Sequence, residues 1–375
     1  MSHLTPRQNL LAVLRHQEPE SIPVIPTFDN FNYPAGSQPD LVKTGDFVTL
    51  ARRYGRPVID RASAGSPVKA IHPNVQVREE IVGDTTTRIT ETPIGLLTER
   101  WRRSVEGQTN FRYENALKGP ADYRIYRFIL GDTHFEIGDQ ELITVHSHVL
   151  AMGEEGIVYV VAPETPMMHL FRVMADPEQV IYGLLDEDAE VMETIEMLAA
   201  RNYEHYELLA STTPTEAIVS WEDTEVGLVS PPMFQRFAWP VLARYAEICH
   251  DHGKIFVDHM CGKIRAFLPM IRTTGIDALD WLAPPPTGDT PFAEARQAWG
   301  EAITIMGTVD PSILRFGSVE AVQRHVRSLL QGMGKGDNFV LMVPPPMGTP
   351  AANLQAVFDL MQTEGCYPLH SKPTV

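Results

Sequence analysis

Short apolar runs that end in polar or reactive residues recur along this chain, and they constrain its fold more than any other feature. They fall at residues 22–26, 157–161, 217–220, 255–257, 278–282, 303–306 and 339–343, with helical segments between them. A run of four or five apolar residues without polar alternation is what a strand buried on both faces looks like. Such strands alternating with helices specify a parallel sheet, either doubly wound or closed into a barrel. No glycine-rich dinucleotide fingerprint or P-loop follows any of the runs, which favours the barrel. The expected fold is α/β, a (β/α)8 TIM barrel.

One stretch departs from that rhythm. Residues 75–82 and 86–92 alternate in character around the turn at Gly83-Asp84, and Thr92-Pro93-Ile94-Gly95 turns into a third run at 96–102. This is the signature of an antiparallel meander. The chain is therefore read as one TIM-barrel domain over residues 1–375, with an N-terminal antiparallel β insertion around 75–103. At the start, Thr5-Pro6 opens a helix whose apolar stripe is Leu10, Leu11, Val13 and Leu14. A further helix is expected at 46–54, and an aromatic loop, Phe28 to Tyr33, follows the first strand.

Composition excludes several classes. The 375 residues are 43% hydrophobic and 21% charged, as in a globular protein with a sizeable core. No apolar run reaches the eighteen or so residues of a membrane span, and residues 1–20 carry no secretory h-region. The formal charge of −17 argues against a nucleic-acid binder, which needs a basic footprint. Three scattered cysteines (Cys249, Cys261 and Cys366) make no disulfide framework. A cytoplasmic enzyme is the natural expectation, and a homodimer is compatible with it.

In a TIM barrel the chemistry gathers where strands end. Taken in order, those ends carry Asp29 and Asn30, Glu164, Glu222 and Asp223, His259 and Cys261, Asp280 with Trp281, and Asp310. Residues two apart in a strand share a face, so His259 and Cys261 present an imidazole and a thiol together. Both are zinc ligands, and a catalytic zinc takes three protein ligands. Glu222 or Asp223 supplies a third from the preceding strand end; Asp280 is the candidate on the other side. Cys249 reads as a buried small hydrophobe, and His250 and His252 as residues at a helix C-terminus.

Several of these blocks resemble the uroporphyrinogen decarboxylase superfamily, and within it the branch of corrinoid-dependent methyltransferases. The resemblance begins at residues 7–14 with Glu18-Pro19 and Ile22-Pro23-Val24. It continues through Thr92-Pro93-Ile94-Gly95-Leu96-Leu97 and Leu228-Val229-Ser230-Pro231 to His259-Met260-Cys261-Gly262. Gly275-Ile276-Asp277-Ala278, Gly307-Thr308-Val309-Asp310 and Gly348-Thr349-Pro350 with Asn353-Leu354 close it. The His-x-Cys-Gly and Gly-Thr-Pro blocks are its most specific parts.

The resemblance implies a TIM barrel and a zinc held by His259 and Cys261, with Glu222 as a further ligand and Glu222 and Asp223 as catalytic acids. It implies transfer of a methyl group, as in O-demethylation, between a small methylated or methoxylated substrate and a corrinoid (methylcobalamin) on a partner protein. Phe28, Asn30, Tyr33, Trp221 and Asp280 are the expected substrate-binding residues. The chain also departs from that branch. A second cysteine is expected shortly before the Gly-Thr-Pro block, but residues 341–347 read LMVPPPM. Either carboxylates complete the ligand set, or metal binding is weaker, or the metal has been lost. The alternatives are a uroporphyrinogen decarboxylase-like enzyme without metal, although residues 28–33 hold no arginine, and a non-catalytic corrinoid- or partner-binding barrel.

Overall fold

The structure, a computed structural model, describes residues 3–27, 55–61, 64–104, 110–333, 338–346 and 348–367. In chain order the strands are β1 (Val24–Pro26), β2 (Val58–Asp60), β3 (Val68–Ile71), β4 (Gln76–Val82), β5 (Thr85–Thr92), β6 (Gly95–Arg103) and β7 (Asn110–Glu114). After them come β8 (His134–Ile137), β9 (Gly156–Ala162), β10 (Ala217–Ser220), β11 (Ile255–His259), β12 (Ala278–Leu282), β13 (Thr304–Thr308) and β14 (Phe339–Val343).

Eight of them form one sheet in the order β1-β14-β13-β12-β11-β10-β9-β2, with every pairing parallel. The two end strands, β1 and β2, lie against each other, so the sheet curls into a nearly closed barrel with helices between its strands. This is the TIM-barrel architecture expected from the apolar runs. The pleat sorts the side chains. Along β11, Ile255 and Val257 join the core inside the barrel, while Phe256 joins the layer between barrel and helices.

Inside the barrel, Ile25, Ile59, Tyr159, Val219, Val257, Met306 and Met342 pack with Leu10, Leu11, Val13 and Leu14 of the first helix, Pro6–Leu14. That helix starts with the expected cap: Thr5 accepts from the Gln8 amide, and the Gln8 side chain accepts from the Thr5 amide. Its Val13 carbonyl accepts from Thr304 Oγ1 at the first residue of β13. The helix therefore plugs the end of the barrel where strands begin, which leaves the end where strands finish for chemistry.

β4 to β7 form a separate antiparallel sheet, one strand longer than the sequence indicates. Leu97 buries its side chain in the same core as Tyr123, Ile125 and Tyr126 of helix Pro120–Asp132. β3 and β8 pair antiparallel beside it. Among the described residues no helix is long and apolar enough to cross a membrane.

Other differences from the sequence reading are local. The acidic stretch from 176 to 209, which the sequence suggests is one long helical region, is broken into Pro177–Leu185 and Ala189–Thr212, because Asp188 caps a new helix N-terminus. A short helix, Pro311–Phe316, follows β13. Asp310 accepts from Ser312 and Ile313 amides to cap it, a structural task for one of the acids at the strand ends. β2 carries only two apolar residues and was not legible as a strand. It fits because β9 begins with Gly156: a Cβ there would lie 1.9 Å from the Val58 carbonyl oxygen. The helix expected at 46–54 lies outside the described residues.

Candidate metal centre

The loops that leave β10 and β11 are fastened together before any side chain meets. The Asp223 amide donates to the His259 carbonyl (2.8 Å), and the Val226 amide to the Lys263 carbonyl (2.8 Å). Gly262 makes the close approach feasible, since a Cβ at that position would sit 2.4 Å from the Glu225 Cβ. Asp223 itself takes a left-handed backbone, φ 50°. That turn separates the fates of two neighbouring acids.

Asp223 faces His259 and Cys261. One ligand atom from each of the three lies within 4.8 Å of the other two. His259 Nε2 is 3.3 Å from Asp223 Oδ1, and the Cys261 thiol donates to the same oxygen at 3.4 Å. Glu222 turns the other way, into the layer behind the barrel wall. Its two oxygens accept from the Thr165 amide (2.7 Å), Thr165 Oγ1 (2.8 Å) and Thr224 Oγ1 (2.7 Å). The structure therefore brings Asp223, and not Glu222, to the expected pair. Burial pushes the Glu222 carboxyl up to about 7, against the pull of those donors. Asp258, on the same side of β11, has both oxygens buried without a partner; burial and the neighbouring acids drive it well above the carboxylate range.

Asp280 lies on the floor of the site, fully buried. Its Oδ2 is 2.9 Å from His259 Nδ1 and 2.5 Å from Arg61 Nη2. Burial alone would raise its carboxyl, but the Arg61 guanidinium and the His259 hydrogen bond hold it below the ordinary range. A guanidinium only donates, so the Asp280 oxygen accepts from Arg61, with His259 Nδ1 in reach of the same oxygen. Arg61 Nη2 also lies 3.2 Å from His259 Nδ1, so Asp280 and Arg61 together fix the ring with Nε2 facing Asp223 and Cys261. Asp280 thus orients a site residue, whereas the sequence placed it among substrate contacts.

Trp221 and Trp281 wall the site. The Arg61 guanidinium lies 4.8 Å from one indole and 5.0 Å from the other, and the His259 ring sits 4.7 Å and 6.0 Å from them. Arg61 follows β2 and had no place in the sequence reading. The signal was present in miniature: Val58-Ile59 followed by charged residues repeats the pattern of the longer runs. Phe28, Asn30 and Tyr33 lie outside the described residues. Elsewhere, Glu164 pairs with His169 (3.1 Å), His250 with Asp277 (2.9 Å) and His252 with Glu207 (3.0 Å). Cys249 is buried and Cys366 exposed.

The donor set fits zinc. It offers a sulfur, an imidazole nitrogen and a carboxylate oxygen, with one histidine nitrogen held by a carboxylate behind it. Left to itself, the Cys261 thiol is pushed up to about 12 by partial burial and the Asp223 carboxylate, so it stays protonated near neutrality. A cation at this position is what would release that proton.

Fold and site together define a (β/α)8 barrel with a candidate metal centre at the C-terminal ends of its strands. Residues 154–363, more than half of the chain, match the family model described as Uroporphyrinogen decarboxylase (URO-D). The chain belongs to the uroporphyrinogen decarboxylase family. Curated relatives include Uroporphyrinogen decarboxylase of Synechocystis sp., 23% identical over 250 residues, which are 65% of this chain and 65% of the relative. Another is Uroporphyrinogen decarboxylase 2, chloroplastic, of Arabidopsis thaliana, 28% identical over 165 residues, 43% of this chain and 39% of the relative. The matches with these two relatives span less than two thirds of their length. Among solved structures, a methyltransferase from Methanosarcina mazei superposes with a TM-score of 0.60 at 12% identity, over 96% of this chain and 99% of that one. At that identity the likeness is one of fold.

Proposed function

We propose that this protein is a methyltransferase. It moves a methyl group between a small methylated or methoxylated substrate and a corrinoid, methylcobalamin, carried by a partner protein. The observation that carries this reading is the convergence of Asp223, His259 and Cys261 at the mouth of the barrel. Those three residues would hold a zinc ion. Bound there, zinc supplies Lewis acidity, which lowers a thiol pKa or polarises a methoxy oxygen.

The chain's own residues do the rest. A metal held there would favour the Cys261 thiolate, and Asp280 would then accept from His259 Nδ1 and leave Nε2 for the metal. Trp221 and Trp281 exclude water from one side and present aromatic surface to the substrate; Phe28, Asn30 and Tyr33 remain expected substrate contacts from the sequence. The protein is read as cytoplasmic.

A second reading, a decarboxylase without metal, is favoured by the names of the curated relatives. Against it, Arg61 is committed to Asp280 and Arg172 to Asp223, and a chain of charge −17 is a poor receptor for a polyanionic tetrapyrrole. A barrel that binds a corrinoid protein without catalysis is the third.

Metal analysis separates them. Protein purified without added zinc is expected to carry about one zinc per chain, and the double variant His259→Ala/Cys261→Ala none. An empty wild-type site in the presence of added zinc would overturn the proposal. Formation of methylcobalamin, followed by absorbance with candidate methyl donors, then distinguishes enzyme from binder.

A further inference from the structure

Asp223 has two carboxylate oxygens, and only one faces the metal position. The other, Oδ2, lies 3.0 Å from Arg172 Nη2. The second arm of the same guanidinium, Nη1, donates to the Trp221 carbonyl at 2.5 Å. Arg172 therefore brackets the left-handed turn at Asp223 from both sides, main chain before it and side chain upon it. A carboxylate whose Oδ2 is pinned in this way presents Oδ1 alone to His259 and Cys261.

Arg172 owes its place to an irregular turn. Residues Leu170–Met174, after the short helix that follows β9, form a π-helical turn, closed by the Ala175 amide donating to the Leu170 carbonyl at 2.9 Å. Such a turn is uncommon and often marks a functional site. Its open carbonyls are met from outside the barrel. Arg112, on β7 of the antiparallel sheet, donates to the Arg172 carbonyl (3.1 Å) and to the Val173 carbonyl. The Arg112 guanidinium also stacks against Trp101 of β6, 5.5 Å from its ring centre. A line of contacts thus runs from the insertion, which lies outside the family match, to the metal position.

We propose that Arg172 is a positioning residue of the metal centre: it holds Asp223 as a one-oxygen third ligand in the place of the missing cysteine, and Arg112 of the insertion holds Arg172. This rests on the metal reading above. The geometry explains how a carboxylate, which by itself can chelate through both oxygens or swing clear, is reduced to one donor of defined direction.

The test is zinc affinity by chelator competition, with the visible spectrum of the cobalt(II)-substituted protein as second readout. Arg172→Met is expected to weaken zinc about 10–100-fold, as loss of a partner behind a ligand does, and to shift the cobalt bands toward those of Asp223→Asn. In an Asp223→Asn background the same change is expected to alter affinity by less than about twofold, because Arg172 acts through Asp223. Arg172→Lys, which keeps a cation beside Asp223, is expected to recover part of the affinity. Arg112→Met is expected to move affinity in the same direction by less. Wild-type affinity in a folded Arg172→Met protein, or a loss that adds in full to that of Asp223→Asn, overturns the proposal. An unchanged Arg112→Met overturns the role of the insertion. Wild-type protein that takes up no zinc or cobalt sinks the metal reading itself, a different result from a zinc-binding protein indifferent to Arg172.

Discussion

At the scale of single residues, backbone conformation decides roles that residue type leaves open. Glu222 and Asp223 are chemically alike and adjacent, and nothing in the sequence separates them. The left-handed backbone at Asp223 sends one acid to the barrel mouth and the other to Thr165 and Thr224. His259 and Cys261 were legible because strand pleat and spacing suffice to pair them. A residue far from the site carries a separate expectation. His205 is nearly buried on helix Ala189–Thr212, edge-on to Phe135 at 5.3 Å, with Nε2 unpartnered. Burial lowers its pKa from 6.5 to about 4. Below pH 6.5 the unfolded chain takes a proton that the folded one refuses, so stability is present above that pH and falls as pH drops toward 4. Two to three pKa units correspond to roughly 3 kcal/mol. Urea unfolding at pH 7.5 and pH 5 is expected to show a smaller loss for His205→Phe than for wild type; equal losses refute the assignment.

At the scale of elements, the strands that could be read are those buried on both faces and bounded by turns. β9 to β14 announce themselves as apolar runs. β2 does not, because three residues between Pro57 and Arg61 carry too little pattern, and Arg61 was lost with it. β3 and β8 escaped for the same reason: each is only four residues long, with three and two apolar positions. β2 depends on its neighbour's lack of a side chain. Gly156→Ala places a methyl group against the Val58 carbonyl, and overpacking of this kind costs about 1–3 kcal/mol. Because β2 leads directly into Arg61, the variant is also expected to lose zinc affinity, measured by the same chelator competition. A variant as stable as wild type would show that β2 has room to move.

At the scale of the whole molecule, barrel and insertion were both visible in outline, whereas the connection between them was not. It runs through main-chain carbonyls of a π-helical turn, which no side-chain pattern encodes. If the centre binds zinc, the metal contributes to global stability by mass action. Free zinc at a hundred times its dissociation constant adds about 2.7 kcal/mol. The thermal midpoint is expected to rise with added zinc and fall with a chelator, and Cys261→Ala is expected to respond to neither. A midpoint indifferent to both reagents in the wild type would refute this.

The plug at the bottom of the barrel has a consequence for how the protein is made. Leu10, Val13 and Leu14 are synthesised well before Met306, Val340 and Met342, which wall the cavity they fill. β1, equally early, hydrogen-bonds to β14. On the ribosome these apolar groups must wait, unburied, while some three hundred residues emerge. Contacts so distant in sequence make for slow folding and a long exposure to wrong partners. A nascent chain halted before β14 owns the stopper without the bottle.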